Sequence, residues 1–415
     1  MTVHRHASGA RSLGAAAVGL ALAAGLVAPA ASADPTTPLT GRGADDTSGL
    51  DPAVVSPSLS GRDGRVSVFV QTSGAGALEV QSTSRSAGSV QQRVDEIDAT
   101  AATVEAQATA VDADSEVLYV TRYTVPGVAL NLDASGIDTI AAMDDVVKIS
   151  AIRSQTVDLP TVSDPTNVNS DALVSAFEAW SGGGTTGAGV NIAVVDTGID
   201  YTHAAFGGPG TTDAYATALA STAAPDPAWY DATKYLGGAD FAGPTYNADP
   251  TDPATYQPVP APDENPIDGL GGSHGTHVAG TAGGYGVGAD GLTFGEAPDG
   301  TRLPDAYAAV DESTDFEIGP GSAPDAGLYS LKVFGDAGGS TDLTGAAIDW
   351  VGAAIADGQQ IDVVNLSLGS DFGAADDPEN AMLAALMDQG VLPVVASGNA
   401  GDVTDIAGTP SNTAR

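Results

Sequence analysis

The sequence predicts an α/β protein: a doubly wound, mostly parallel sheet with helices on both faces, preceded by a small α+β domain. Two patterns carry that prediction. From Val190 onward, short apolar runs of strand length alternate with helical stretches, the signature of a parallel sheet closed by crossover connections. Between Arg65 and Ile152 the apolar period switches in the order β-α-β-β-α-β, the split, ferredoxin-like arrangement. The 415 residues leave room for about two or three domains.

The chain opens with His4, Arg5, His6 and Arg11, an apolar run from Leu13 to Ala28, and the small residues Ala31-Ser32-Ala33. Residues 1–33 therefore read as a secretory signal peptide, placing the mature protein outside the cell. The alternative is a membrane anchor, but the run is shorter than the roughly 20 residues a spanning helix needs. Residues 34–64, rich in Pro, Gly, Ser, Thr and Asp without sustained periodicity, read as a flexible leader. The small domain occupies 65–152. Arg65 to Gln71 alternates as a strand, and Val94, Ile97, Ala101, Val104 and Ala108 share one helix face. Glu116 to Asp133 gives two strands broken at Val125-Pro126-Gly127, followed by a short helix around Ile137 to Met143 and a last strand from Val146 to Ile152.

The larger domain, 153–415, contains a helical patch around Ala172 to Trp180 and a glycine-rich connection to the first core strand, Val190 to Asp196. Residues 207–273, full of Pro, Gly, Asp and Tyr, read as a surface insertion, and 285–325 as a second irregular stretch. A helix is expected from residue 274 to 284, a strand from Leu328 to Phe334, and a helix from Leu343 to Ala356. Then come a strand from Val363 to Leu368, a helix over 378–389 and a strand from Val391 to Ala396. In such sheets working groups gather beyond the carboxyl ends of the strands.

Composition narrows the chemistry. Lys and Arg number 14 against 53 Asp and Glu, a formal charge of −39 that repels nucleic-acid phosphates and anionic lipid. The absence of cysteine removes disulfides, thiolate nucleophiles and thiolate-bound metals. Any covalent step must use oxygen or nitrogen.

Three segments stand at strand ends or helix starts. Asp196, in Val194-Val195-Asp196-Thr197-Gly198, follows a buried strand, where backbone donors can hold a carboxylate that orients a histidine; a turn or helix cap is the alternative. His274 and His277, in His274-Gly275-Thr276-His277-Val278-Ala279-Gly280, are two of only five histidines. A neutral imidazole suits proton transfer, and packing or metal ligation by the pair are the alternatives. The glutamate of the zinc-protease helix motif is missing, because Gly275 follows His274. Asn399, in Ala396-Ser397-Gly398-Asn399-Ala400-Gly401, can offer a side-chain N–H to a developing oxyanion or simply occupy a turn.

Together and in this order, these motifs resemble the subtilisin-like serine proteases, the subtilases, and the likeness extends over roughly residues 66–152 and 168–413. The resemblance implies a subtilisin-like fold, with Asp196 as the catalytic acid, His274 as the base, Asn399 as the oxyanion donor and His277 as structural. It implies that Ser367, Leu368 and Gly369 bind an extended substrate, and that Ala396, Ser397 and Gly398 form the other wall of the pocket. It also implies that the 65–152 domain is a propeptide acting as folding aid and inhibitor, cut off after residue 152 and before the core begins near 168. The partners implied are peptide or protein substrates and the chain's own propeptide.

The family's Gly-Thr-Ser nucleophile motif occurs nowhere in the sequence, and Ser411, in Gly408-Thr409-Pro410-Ser411, is no substitute. The expectation is a secreted serine endopeptidase precursor whose serine lies beyond Arg415, the present chain being inactive. The alternatives are a non-catalytic, subtilase-like peptide-binding protein and, more remotely, a metal hydrolase built on His274 and His277. No cofactor is expected. A position that often supplies a calcium ligand in compact subtilases is Ala205 here, while Asp263, Glu264 and Asp268 form either a calcium site or a solvated acidic loop.

Overall fold

The computed structural model describes residues 53–84, 86–157, 167–271, 273–297, 299–403 and 406–413. The signal peptide and most of the leader lie outside the described residues.

The N-terminal unit runs β1 (Arg65–Thr72), α1 (Ala77–Ser84), α2 (Ala87–Val111), β2 (Glu116–Thr121), β3 (Gly127–Asp133), α3 (Ile137–Ala141) and β4 (Val146–Ala151). Its four strands are ordered β2-β3-β1-β4, every neighbouring pair antiparallel. Strand alternation divides the side chains between two cores. Val68, Val70, Val128 and Leu130 pack with Ala101, Val104 and Ala108 of α2, whereas Phe69 and Ala129 face the larger domain. The end of the expected leader is an ordered part of this unit. Val55 and Leu59 are buried, and main-chain bonds join Val54 and Ser56 to Ile149 of β4. Proline and serine around them masked these anchors in the sequence.

Beyond the small unit, β5 (Gln155–Thr156) leads to α4 (Asn167–Leu173), α5 (Ala176–Gly183), β6 (Asn191–Asp196), α6 (Thr212–Leu219) and β7 (Tyr235–Asp240). Next come α7 (His274–Gly283), β8 (Val287–Gly288), β9 (Phe316–Ile318), β10 (Gly327–Lys332) and β11 (Ser340–Thr341). The described part closes with α8 (Thr344–Ala356), β12 (Val363–Leu366), α9 (Pro378–Asp388) and β13 (Leu392–Val395). Five strands form a wholly parallel sheet in the order β13-β12-β6-β10-β7. Along β6, Ala193 and Val195 pack toward α8 and α9, while Ile192 and Val194 pack toward Ala279 of α7. The sheet is thus covered on both faces, as expected for a doubly wound fold.

The stretch expected to be a surface insertion, 207–273, contributes strand β7. Its Gly237-Gly238 pair reads as a strand breaker. Here the pair permits close approach instead, because a Cβ on Gly238 would run into the carbonyl of Ser330 on β10. Likewise, the patch around Ala172 to Trp180 resolves into two short helices, α4 and α5.

The N-terminal unit sits on α8 and α9. Asp349 of α8 accepts the main-chain N–H groups of Arg122, Tyr123 and Thr124 at 2.7, 2.9 and 2.8 Å, and the Thr124 hydroxyl at 2.7 Å. From there the chain enters a groove of the larger domain. β5 pairs antiparallel with β11 on one side, and Thr156 bridges to Gly369 on the other.

Candidate active site

Strand register aligns the functional segments. Asp196 ends β6 opposite Lys332 of β10, and Leu366 of β12 is in register with both Val195 and Val395. Asp196, Ser367 and Ala396 therefore emerge together at the carboxyl edge of the sheet. Alternation along β6 puts Asp196 on the same face as Ile192 and Val194, the face covered by α7, and His274 is the first residue of that helix.

The carboxylate and imidazole meet. Asp196 Oδ1 lies 2.8 Å from His274 Nδ1 and accepts the Thr197 N–H at 2.7 Å. Asp196 is fully buried, and its Oδ2 has no hydrogen-bond partner among the described residues. Gly275 lets the helix approach closely, since a Cβ there would strike the carbonyl of Gly198.

His274 opens onto a cleft of about 440 Å³ that is also lined by Ser367, Leu368, Gly369, Ala396, Gly398 and Asn399. The expected base, oxyanion donor and substrate-binding strands thus share one hollow, with Asp196 behind the histidine. Ser367 is further fixed by the Asn365 amide, which donates to its hydroxyl at 2.9 Å. Ser397 is exposed but is not among the cleft-lining residues. His277 is also exposed, on the outer side of α7.

Sequence reasoning missed Ser370, Asp371, Ala400 and Gly408 in the lining, together with Ser154 and Thr156 from the tail of the N-terminal unit. Gly408 reaches the cleft because Thr409 and Ser370 exchange main-chain bonds at 2.9 and 3.2 Å. The one available signal was the glycine itself, whose Cβ would meet the Ser370 carbonyl. The Ser411 hydroxyl donates to the Gly408 carbonyl at 2.7 Å.

The acidic residues of 263–268 do not converge. Asp263 accepts the Asn265 N–H, while Asp268 turns inward against α7. Among the described residues no group of three or more His, Cys, Asp or Glu side chains is arranged to hold a metal ion. No helix among them is long and apolar enough to cross a membrane.

The chain resembles known proteins. The chain is 30% identical over 348 residues to the PII-type proteinase of Lacticaseibacillus paracasei, covering 82% of this chain and 16% of that protein. It is 28% identical over 297 residues to the minor extracellular protease Vpr of Bacillus subtilis, covering 68% of this chain and 28% of that protein. The chain thus spans about a sixth to a quarter of these relatives. Fervidolysin from Fervidobacterium pennivorans, a keratinolytic enzyme related to subtilisin, matches at 18% identity with a TM-score of 0.41, over 82% of this chain and 40% of its own. A sequence model of the subtilase family matches residues 187–414, the span that carries Asp196, His274 and Asn399, and on that match the chain belongs to the subtilase family.

Proposed function

We propose that this chain is part of a secreted serine endopeptidase precursor, with its nucleophile supplied by sequence C-terminal to Arg415. The observation that carries the reading is the 2.8 Å contact between Asp196 and His274 at the mouth of a cleft shared with Asn399.

The chemistry follows from the positions of the groups. Asp196 fixes His274 through Nδ1, which leaves the other ring nitrogen to take the proton of a serine hydroxyl as it attacks a peptide carbonyl. The imidazolium formed is stabilised by the buried carboxylate and returns its proton to the leaving amine. Asn399, in the same cleft, donates its side-chain N–H to the tetrahedral oxyanion, an interaction worth about 3 kcal/mol when preorganised. Gly369 and β11 offer main-chain groups on both sides of an extended peptide.

The N-terminal unit acts as a propeptide that blocks its own enzyme. Its tail already uses those main-chain groups: the Thr156 N–H donates to Gly369 O at 2.9 Å, and the Gly369 N–H donates to Thr156 O at 3.2 Å. Peptide binding without hydrolysis is the second reading, since these bonds need no nucleophile.

Expression of the longer coding sequence, followed by labelling with a fluorophosphonate, tests the proposal. Expected are a labelled serine downstream of Arg415, release of the N-terminal unit, and loss of peptide hydrolysis in Asp196→Ala and His274→Ala. An unlabelled product that binds peptides would leave the binding reading standing alone. Hydrolysis that survives His274→Ala would end the proposal.

A further inference from the structure

The loop entering α7 carries a buried carboxylate that grips both halves of the Asp196–His274 pair. Ser273, in the N-cap position, has a left-handed backbone (φ 55°) and makes no side-chain capping bond. Asp268, 1% exposed, takes over that task. Its Oδ1 accepts the Ser273 N–H at 3.0 Å, and its Oδ2 accepts the Thr276 N–H at 2.9 Å and the Thr276 hydroxyl at 2.7 Å.

A hydroxyl has one proton. Having given it to Asp268, Thr276 Oγ1 faces the acid loop as an acceptor and receives the Asp200 N–H at 3.0 Å. Thr197, next to Asp196, mirrors this arrangement. Its hydroxyl oxygen accepts the Gly275 N–H at 2.8 Å. Two threonines, one beside the acid and one beside the base, thus each receive an N–H from the opposite segment, and Asp268 orients the one beside the base.

We propose that Asp268 is a positioning residue that, through Ser273 and Thr276, sets the distance and angle between Asp196 and His274. The inference rests on the proposed role of that pair.

The test uses the full chain with ¹⁵N-labelled histidine, following the His274 ring by NMR across pH in Asp268→Asn, Asp268→Ala and Thr276→Val. Asp171→Asn is the control, because it removes a buried carboxylate that accepts the Ser322 hydroxyl away from the site. In Asp268→Ala the proton affinity of His274 should fall about three- to tenfold. The downfield Nδ1–H resonance should broaden or vanish there and weaken in Thr276→Val, while the control leaves both unchanged. If Asp268→Ala does not fold, Asp268→Asn and Thr276→Val decide the matter. Should every folded variant match the control, with a lower melting temperature but the same histidine titration, the positioning role is overturned. A wild-type chain lacking the Nδ1–H signal would instead overturn the Asp196–His274 pairing itself, and this inference with it.

Discussion

Thr156 and Gly369 exchange both of their main-chain hydrogen bonds across the cleft, at 2.9 and 3.2 Å, so the end of the N-terminal unit adds a strand to the larger domain beside His274. Side chains reinforce the fit: the Ser154 hydroxyl donates to Asp342 at 2.6 Å, and the Thr344 hydroxyl donates to Gln155 Oε1 at 2.9 Å. Thr156→Pro removes the donor to Gly369 and places a ring in its path. The amide of Gly369 should then exchange with solvent about fivefold faster or more, for the loss of a bond worth roughly 1 kcal/mol. Hydrogen exchange measured by mass spectrometry reads this directly, and unchanged protection would show that the tail is not what covers the cleft.

Buried groups beneath the N-terminal unit predict a stability that depends on pH. Glu379, in the first turn of α9, is 1% exposed, and neither carboxylate oxygen has a partner among the described residues. Burial, reinforced by Asp377 and then Asp342, pushes its carboxyl well above the ordinary glutamate range. Tyr119 of β2, whose hydroxyl is also buried and unpartnered among the described residues, lies close enough for the two charges to repel. Nearby, Asp349 is also pushed up by burial, opposed by the four donors it accepts. A carboxyl whose folded value is raised stabilises the assembled form while protonated, and that contribution is lost as pH rises through the raised value. Wild type should therefore lose stability between pH 5 and pH 8 relative to Glu379→Gln, and the variant should be the more stable by about 1 kcal/mol or more at the upper end. Paired urea melts at the two pH values check this, and parallel curves would contradict it.

The sequence exposed the candidate site more fully than it exposed the sheet. Asp196, His274 and Asn399 each follow a strand or open a helix, so local pattern located them, and the parallel register then brought their segments together. β7 escaped because Gly237 and Gly238 carry no apolar side chains, and the requirement for glycine comes from Ser330, far away in the chain. Asp268 was legible as an acid but not as a cap, since Ser273 already stood in the capping position and only its backbone angle disqualifies it. Tertiary contact supplied the rest. Nothing in Arg153-Ser154-Gln155-Thr156 marks it as a strand until Gly369 and β11 are there to pair with it.

Lys234 precedes β7 and is 1% exposed, yet its ammonium donates to the carbonyls of Gly283, Pro324 and Ala326 at 2.6, 2.7 and 2.6 Å, and lies over the Tyr285 ring. It joins the end of α7 to the loop before β10. Lys234→Met keeps the aliphatic length and strands three buried acceptors. A loss of about 3 kcal/mol is expected, in the range for breaking buried charged networks. Chemical denaturation measures it, and a loss below about 1 kcal/mol would mean that water takes over the three carbonyls.

β13 pairs with β12 alone among the described strands, and Leu392 and Val394 are 59% and 48% exposed on it. Successive side chains of a strand point to opposite faces, so these two lie on one side and form an apolar row beside an open edge that offers main-chain carbonyls and the Val395 N–H, Pro393 having none to give. Such an edge recruits another strand, and the nearest source in a concentrated solution is a second copy of the chain. The purified chain should therefore self-associate with rising concentration. Val394→Lys places a charge in the middle of the row without touching the β12 ladder, so folded stability should change by less than about 0.5 kcal/mol. Sedimentation velocity at several concentrations distinguishes the outcomes: the variant should remain monomeric where the wild type grows. Equal growth in both would assign the association to another surface, with the exposed Leu173 and Val174 of the α4 region the next to examine.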